Sequence, residues 1–285
     1  MLGSANMDLV AYVPAAPGRG ETVTGREFRT IPGGKGANQA IAAARAGAEV
    51  TFLGAVGSDS FGEQIRATLA AEGIDVSWLR TVPGPTGTAH IVVDDEGGNS
   101  IVVVPSANAS VTSLSAEDRA AIAAADALLL QLETPMEGVL AGARAARVAG
   151  VPVVLTPAPV QPLPVELLAV VDLLVPNEHE AKQLAEGLDG LLELVPEAVI
   201  TLGSAGCVYG RRGGGQVRVP ASPVTAVDTT AAGDTFVGAL AVARAERLPI
   251  EAALRWATAA AALSVQRAGA STSMPTRAEI DAFPG

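Results

Sequence analysis

The sequence predicts an α/β fold: a mainly parallel central sheet with helices packed on both of its faces, in three layers. Strand-length apolar runs alternate with Ala-rich segments of helical period along most of the chain, the pattern of a sheet buried on both faces. At 285 residues the chain can bury one large core and does not call for two unrelated domains. Aliphatic residues carry that core: 49% of the chain is hydrophobic and only 3% aromatic.

In chain order, the first segment is "GSANMDLV" (3–10), where Asn6 and Asp8 share one side of an extended chain. Two polar side chains beside an apolar strand need partners when buried, which a ligand or a plain turn could supply. "GETVTGREFRTIPGG" (20–34) and "TGTAHIVVDDEGGNSIVVVPSAN" (86–108) show β-type alternation, the second punctuated by a turn at 94–98. They predict a small antiparallel sheet over one edge of the domain, a lid drawn from about 8–32 and 86–105. Central strands are expected at 49–56, 126–133, 151–157, 172–177 and 197–203. Ligands collect beyond the carboxyl ends of such strands, where Glu133, Asn177 and Thr201 to Gly203 stand. A hairpin tip is expected at 211–215, and 248–270 reads as one long buried helix ending near Gly269.

Composition removes several functions. A net charge of −11 and a pI near 4.7 disfavour a sequence-independent grip on nucleic acid. Mean hydropathy is high at +0.35, yet the longest uncharged apolar stretch, Trp256 to Val265, falls short of the ~18 residues a spanning helix needs. The N-terminus shows no basic region or cleavage pattern, so no export signal is expected, and the lone Cys207 suits the cytoplasm and reads as a small core residue. With only His90 and His179 there is no multi-His metal site.

The segment richest in chemistry is "AVDTTAAGDTFVG" (226–238). Gly233 precedes a helical apolar run, so free N–H groups and the helix dipole face outward there. Ala231, Ala232 and Gly233 let another molecule approach that backbone, and Asp234 sits in the first turn. Two readings stay open on these residues: Asp234 caps its helix, or it accepts a hydroxyl proton beside an anion hole that holds a phosphoryl group.

"IPGGKGANQAIAAARAG" (31–47) sets Gly33, Gly34 and Gly36 before a helix with Lys35 and Asn38 at its start. Gly36 stands where a Walker A loop needs Ser or Thr, and Arg29 where it needs its first Gly, so this is no P-loop. A tight turn or a surface for a polyhydroxyl ligand remains. In "PNEHEAK" (176–182), Asn177 and Glu180 share a helical face and could organise water around Mg²⁺. His179-Glu180-x-x-Gln183 lacks the second His of a zinc-protease helix, so His179 reads as a surface residue.

Taken together and in order, Asn6-x-Asp8, "GGKGANQA" (33–40), Gln131-Leu132-Glu133, "PNEHE" (176–180), "TLGSAG" (201–206) and "DTTAAGD" (228–234) resemble the ribokinase branch of the PfkB family of carbohydrate kinases, from Gly3 almost to the end. The resemblance implies a single ribokinase-like three-layer α/β/α domain over 1–285, a β-sheet lid, and ATP-dependent phosphorylation of the 5-hydroxyl of D-ribose. It implies Asp234 as base, with Ala231, Ala232, Gly233 and Asp234 forming the anion hole. It implies ribose on Asn6, Asp8, Gly33, Gly34, Lys35, Asn38, Glu133 and Asp234. ATP would lie against Asn177, Thr201, Gly203, Ser204, Gly206, Gly233 and Thr258, with Mg²⁺ held through water near Glu180. A K⁺ ion is implied at Asp228, Thr230, Ser264, Arg267, Gly269 and Ser273, several of them through backbone carbonyls. A cytoplasmic homodimer joined through the lid is implied as well. A deoxyribose, other sugar or nucleoside kinase, and a non-catalytic sugar or nucleotide sensor, are the alternatives.

Two departures from the family pattern carry expectations. Only Met1 and Leu2 precede Gly3, so the first strand is expected to be cut back or the start codon placed too late. Positions 182–197 are short and are expected to lack a peripheral helix, weakening packing on the nucleotide side.

Overall fold

The computed structural model describes residues 1–284. The chain opens with strand β1 (Asn6–Tyr12), then β2 (Glu27–Gly33), helix α1 (Lys35–Arg45), β3 (Gly54–Gly57), α2 (Ser60–Ala71), β4 (Leu79–Val82), β5 (Gly87–Val93) and β6 (Asn99–Val104). Strands β2-β1-β5-β6 form a four-stranded sheet. The expectation of an antiparallel sheet is corrected at one pairing, because β1 runs parallel to β5 while β1–β2 and β5–β6 are antiparallel. Residues 20–26 contribute no strand. Among them Gly20 adopts φ +85, and the stretch is exposed and has no apolar face to bury. The turn at 94–98 is present: Asp94 Oδ1 accepts from Glu96 N at 3.0 Å and Gly98 N at 2.7 Å.

The second half supplies α3 (Ala116–Ala123), β7 (Leu128–Leu130), α4 (Met136–Ala149), β8 (Val153–Leu155), α5 (Val165–Leu168), β9 (Leu173–Leu174), α6 (Glu178–Leu184), α7 (Gly187–Leu194), β10 (Glu197–Thr201), β11 (Cys207–Arg211), β12 (Gln216–Val219), α8 (Ala232–Ala245), α9 (Ile250–Ser264) and α10 (Arg277–Ala282). Strands β7 to β10 are parallel, and β11 and β12 add an antiparallel edge joined by the expected hairpin at 212–215. Side chains alternate across this sheet as a two-residue period requires. Leu128, Leu130, Val153, Leu155 and Leu174 meet α4, α5 and α7, whereas Leu129, Val154, Leu173 and Val199 meet α8 and α9. Those are the three expected layers.

Three sequence expectations shift. The helix at 248–270 ends at Ser264, because Val265 O is recruited by Val227 N at 2.7 Å and Asp228 N at 3.1 Å. Positions 182–197 hold α7, whose Leu191 is fully buried. The run 49–56 is regular only from Gly54, with Thr51 and Leu53 making isolated bridges.

Leu2 alone bridges Leu53 on one side and Leu130 on the other, both in parallel, and so joins β3 and β4 to the large sheet. Below it, between 49–53 and 126–129, lies a cavity of about 630 Å³, walled by Ala43 and Val242 from one helix layer and, on the other side, by Ile122 of α3 and by Trp78 in the turn before β4. Met1 sits at its end, its ammonium donating to Thr51 O at 2.9 Å, and burial lowers that amine to about 5. An amine at ~8 when unfolded and about 5 when folded destabilises the fold below pH 5, less through the interval, and not above 8. Four apolar β-formers added ahead of Met1 are therefore expected to fill the slot and raise Tm by roughly 5 °C, more at pH 6 than at pH 9. Differential scanning fluorimetry at both pH values checks this; an unchanged or lowered Tm contradicts it.

Candidate active site

Helix packing brings the site together. Gly238 on α8 lies so close to α1 that a Cβ there would stand 2.6 Å from Ala42 Cβ and 2.8 Å from Ala43 N. One turn earlier on each helix, the same approach puts Asp234 against Asn38 and Gln39. Asn38 Nδ2 donates to Asp234 Oδ2 at 3.2 Å, and Gln39 Nε2 to Oδ1 at 3.0 Å. Asp234 is buried and does not cap its own helix, whose N-cap is Ala231 with no side-chain cap bond. Ala231 adopts the left-handed conformation at φ 58, unfavourable for a residue with a Cβ. That turn leaves the N–H groups of Gly233 and Asp234 without partners among the described residues, whereas Ala232 N donates to Thr229 O at 3.2 Å.

The glycines at 33–36 serve the approach of α1 to the first strand. A Cβ on Gly36 would be 2.6 Å from Ser4 N and O, one on Gly34 (φ +89) 2.8 Å from Asn6 N, and one on Gly33 2.3 Å from an Asp8 oxygen. Glu133 caps this helix: its Oε2 accepts from Lys35 N at 3.0 Å and Ser4 Oγ at 2.5 Å. Asn6 and Asp8 lie on one face of β1, as their spacing predicts. Asn108, which the sequence reading missed, donates to Asn6 Oδ1 at 2.7 Å and leaves the Asn6 amide hydrogens free of protein acceptors among the described residues. Its only sequence signal was an Asn closing the second β-rich run.

Four charged groups converge on one small volume. Burial raises the Asp234 carboxyl, with the Lys35 cation and the Gln39 and Asn38 hydrogen bonds opposing and Glu133 adding to the rise. Burial, then the charges of Glu133 and Asp234, raise Asp8 to about 7 against the pull of Lys35. Burial works against the Lys35 ammonium, but Asp234, Glu133, Glu180 and Asp8 together raise it. Asn38 Oδ1 is buried with no hydrogen-bond partner among the described residues, an acceptor awaiting a donor such as a ligand hydroxyl.

Asp8 yields a pH-dependent prediction. An acid near 3.8 unfolded and about 7 folded costs nothing below pH 4, an increasing amount up to 7, and its full amount above. Asp8→Asn is expected to raise Tm at pH 8 by a few degrees, roughly, and to leave it unchanged at pH 4. Thermal melts at the two pH values decide it; equal shifts at both remove the assignment.

Beyond Gly233 lies a second cavity of about 300 Å³. Thr201, Gly203, Ser204, Gly206, Gly233 and Thr258 all line it, as do Phe236, Ala262, Val265 and the irregular segment 221–226. That segment carries no motif or period, so the sequence offered no signal for it. Asn177 is not in the wall; it bridges Thr201 in parallel. Asn177 Oδ1 accepts from Glu180 N and Glu180 Oε2 from Asn177 N, both at 2.8 Å, a capping box that accounts for their i, i+3 spacing. Among the described residues no three His, Cys, Asp or Glu side chains cluster to hold a metal.

Asp228 ties the α8 turn to the chain after α9. Its Oδ1 accepts from Thr230 N at 2.9 Å and Thr230 Oγ1 at 2.5 Å, its Oδ2 from Gly269 N at 2.8 Å. Burial acts to raise this acid, but those hydrogen bonds lower it overall and hold it ionised. Ser264 and Ser273 are fully buried, their hydroxyls donating to Ala261 O and Ala270 O, while the Arg267 guanidinium donates to Glu279 at 2.5 Å. The carbonyl oxygens of Thr230, Arg267, Gly269 and Ser273 accept no hydrogen bond among the described residues. An ionised carboxylate near uncommitted carbonyls is a donor set that fits a hard monovalent cation.

A buried carboxylate at a helix N-terminus, a polar cluster on one side and an apolar cavity on the other, is the layout of a phosphotransferase acting on a small polyhydroxyl compound. The chain belongs to the pfkB family carbohydrate kinases, whose family model matches residues 1–277. It is similar to the ribokinase of Bacillus subtilis strain 168, at 46% identity over 99% of this chain and 97% of that one, and to that of Haemophilus influenzae, at 42% identity with the same coverage. Its structure is similar to that of Arabidopsis thaliana ribokinase complexed with ribose and ATP, with a TM-score of 0.92 and 35% identity over 99% of this chain and 96% of that one. No helix among the described residues is long and apolar enough to cross a membrane.

Proposed function

We propose that this chain transfers the γ-phosphoryl group of ATP to the 5-hydroxyl of D-ribose, giving ribose 5-phosphate and ADP. The observation that carries the reading is the position of Asp234, which faces the Asn6, Asp8, Lys35 and Asn38 cluster while its neighbour Gly233 opens into the apolar cavity. Ribose has hydroxyls for the unpartnered Asn38 Oδ1 and for the Asn6 amide. The adenine ring suits the cavity walled by Val265, Ala262 and Phe236. Asp234 removes the proton of the 5-hydroxyl as that oxygen forms its bond to the γ-phosphorus and the bond from γ-phosphorus to the β-bridging oxygen breaks. The free N–H groups of Gly233 and Asp234 take up charge on the migrating group, and the Lys35 cation favours the charged form of Asp234 against the rise that burial imposes.

Mg²⁺ bound with the nucleotide would neutralise phosphate charge, and Glu180, with one carboxylate oxygen outside its capping box, would hold it through water. K⁺ would sit on Asp228 and the uncommitted carbonyls of Thr230, Arg267, Gly269 and Ser273, with Ser264 in the surrounding wall, fixing the turn that shapes the anion hole. The four-stranded sheet would close over ribose as a lid and exclude water. Its outer strand β6 is exposed on both faces through Ile101, Val102, Val103 and Val104, and Phe28 is exposed on β2, which supports pairing of two lids in a cytoplasmic homodimer.

Coupled ADP release with ribose, 2-deoxyribose, fructose and adenosine, each in K⁺ and in Na⁺ buffer, tests the reading. Ribose is expected to turn over fastest, and faster in K⁺. Absence of ribose-dependent ADP overturns the assignment, equal rates in the two salts remove the cation site, and binding without any sugar phosphate identifies a sensor.

A further inference from the structure

We propose that Gln39 is a positioning residue: its carboxamide fixes the Asp234 carboxylate, and Gln131 fixes which end of that carboxamide faces the acid. Gln39 is fully buried on α1, one residue past Asn38. Its Nε2 donates to Asp234 Oδ1 at 3.0 Å and to Thr156 Oγ1 at 3.2 Å, and its Oε1 accepts from Gln131 Nε2 at 2.6 Å. Gln131, on the opposite side and 1% exposed, also directs Nε2 to Met1 Sδ at 3.2 Å, and its Oε1 has no partner among the described residues.

The donations run one way, from Gln131 to Gln39 to Asp234. Turning Gln39 over would set its oxygen against the Asp234 carboxylate and its amide hydrogens against those of Gln131, so both contacts would fail together. The orphaned Gln131 Oε1, pressed so close to Gly3 that a Cβ there would be 2.1 Å away, is the local cost of that orientation. A side chain needed only to fill the gap between α1 and the sheet would be apolar. With Oδ1 held by Gln39, Oδ2 is the oxygen left to meet the sugar hydroxyl alongside Asn38. Lys35 from α1, Glu133 from the loop after β7 and Asp8 from β1 are the other charged groups facing Asp234, and none of them hydrogen-bonds its carboxylate.

This rests on Asp234 acting as the base. Gln39→Met keeps the volume and removes the donor. The acidic limb of the kcat profile is expected to move up by about one pH unit, with kcat about tenfold lower at pH 6, within about twofold at pH 9, and ribose KM within about threefold. The Asp234 carboxyl carbon resonance, assigned by its absence in Asp234→Asn and followed without nucleotide, is expected to titrate correspondingly higher. Gln131→Met, which leaves Gln39 in place without its orienting donor, is expected to shift both readouts in the same direction by less, and decides the matter if Gln39→Met does not fold. A folded variant with an unmoved limb and resonance overturns the inference while an inert Asp234→Asn leaves the base intact; an active Asp234→Asn overturns both.

Discussion

Asp234→Asn is expected to lower kcat by about 10²- to 10⁴-fold, the usual worth of a positioned general base, while ribose affinity changes little. The amide retains the size of the acid and one acceptor oxygen, which Gln39 Nε2 can still meet. What is lost is the ability to accept the hydroxyl proton. Stability is expected to move the other way. Burial raises this carboxyl in the folded state, so its ionisation costs nothing below the unfolded value near 3.8, an increasing amount above it, and the full amount once pH exceeds the folded value. The asparagine variant should therefore melt higher than the parent at pH 8 and no higher at pH 4, a trade of stability for activity typical of catalytic groups. Steady-state kinetics with ribose calorimetry measure the first part; a variant with near-normal kcat removes Asp234 from the role.

Gly233→Val should give the second large effect. Nothing lies within 4 Å of a Cβ built on Gly233, and its φ is not in the left-handed region, so the fold accommodates the side chain. That open space is the mouth of the cavity beside the unpartnered N–H groups. A branched side chain there holds a phosphate off those donors, and kcat/KM for ATP is expected to fall on the order of 10²-fold with Tm nearly unchanged. Ribose binding without nucleotide should survive. Normal kinetics for ATP would show that the phosphates do not pass over Gly233, whereas loss of ribose binding would show a wider disturbance than the geometry allows.

Much of this was legible in the sequence because it is local. A strand buried on both faces writes itself as a short apolar run, so the layers were readable, as was the helix start at 233–234. The glycines at 33–36 were visible as a device, but their reason was not, since Gly36 answers to Ser4, 32 residues earlier. Spacing alone was ambiguous where two local causes share a signature: Asn177 and Glu180 sit at i, i+3 as a capping box, and the same spacing also suits a face that holds a metal through water.

By itself the sequence determined the α/β class, the helix N-terminus bearing Asp234, and the spacing that sets Asn6 and Asp8 on one face. Only the tertiary structure decided that Asp234 is held by Gln39 and Asn38, that Glu133 caps α1, that Asn108 orients Asn6, and that the helix after Pro249 stops at Ser264 to serve the Asp228 turn. The physical reason is separation along the chain. Hydrophobic period and turn chemistry act over a few residues, whereas the partner of a buried polar group is whichever donor or acceptor packing delivers, here 195 positions away for Gln39 and Asp234.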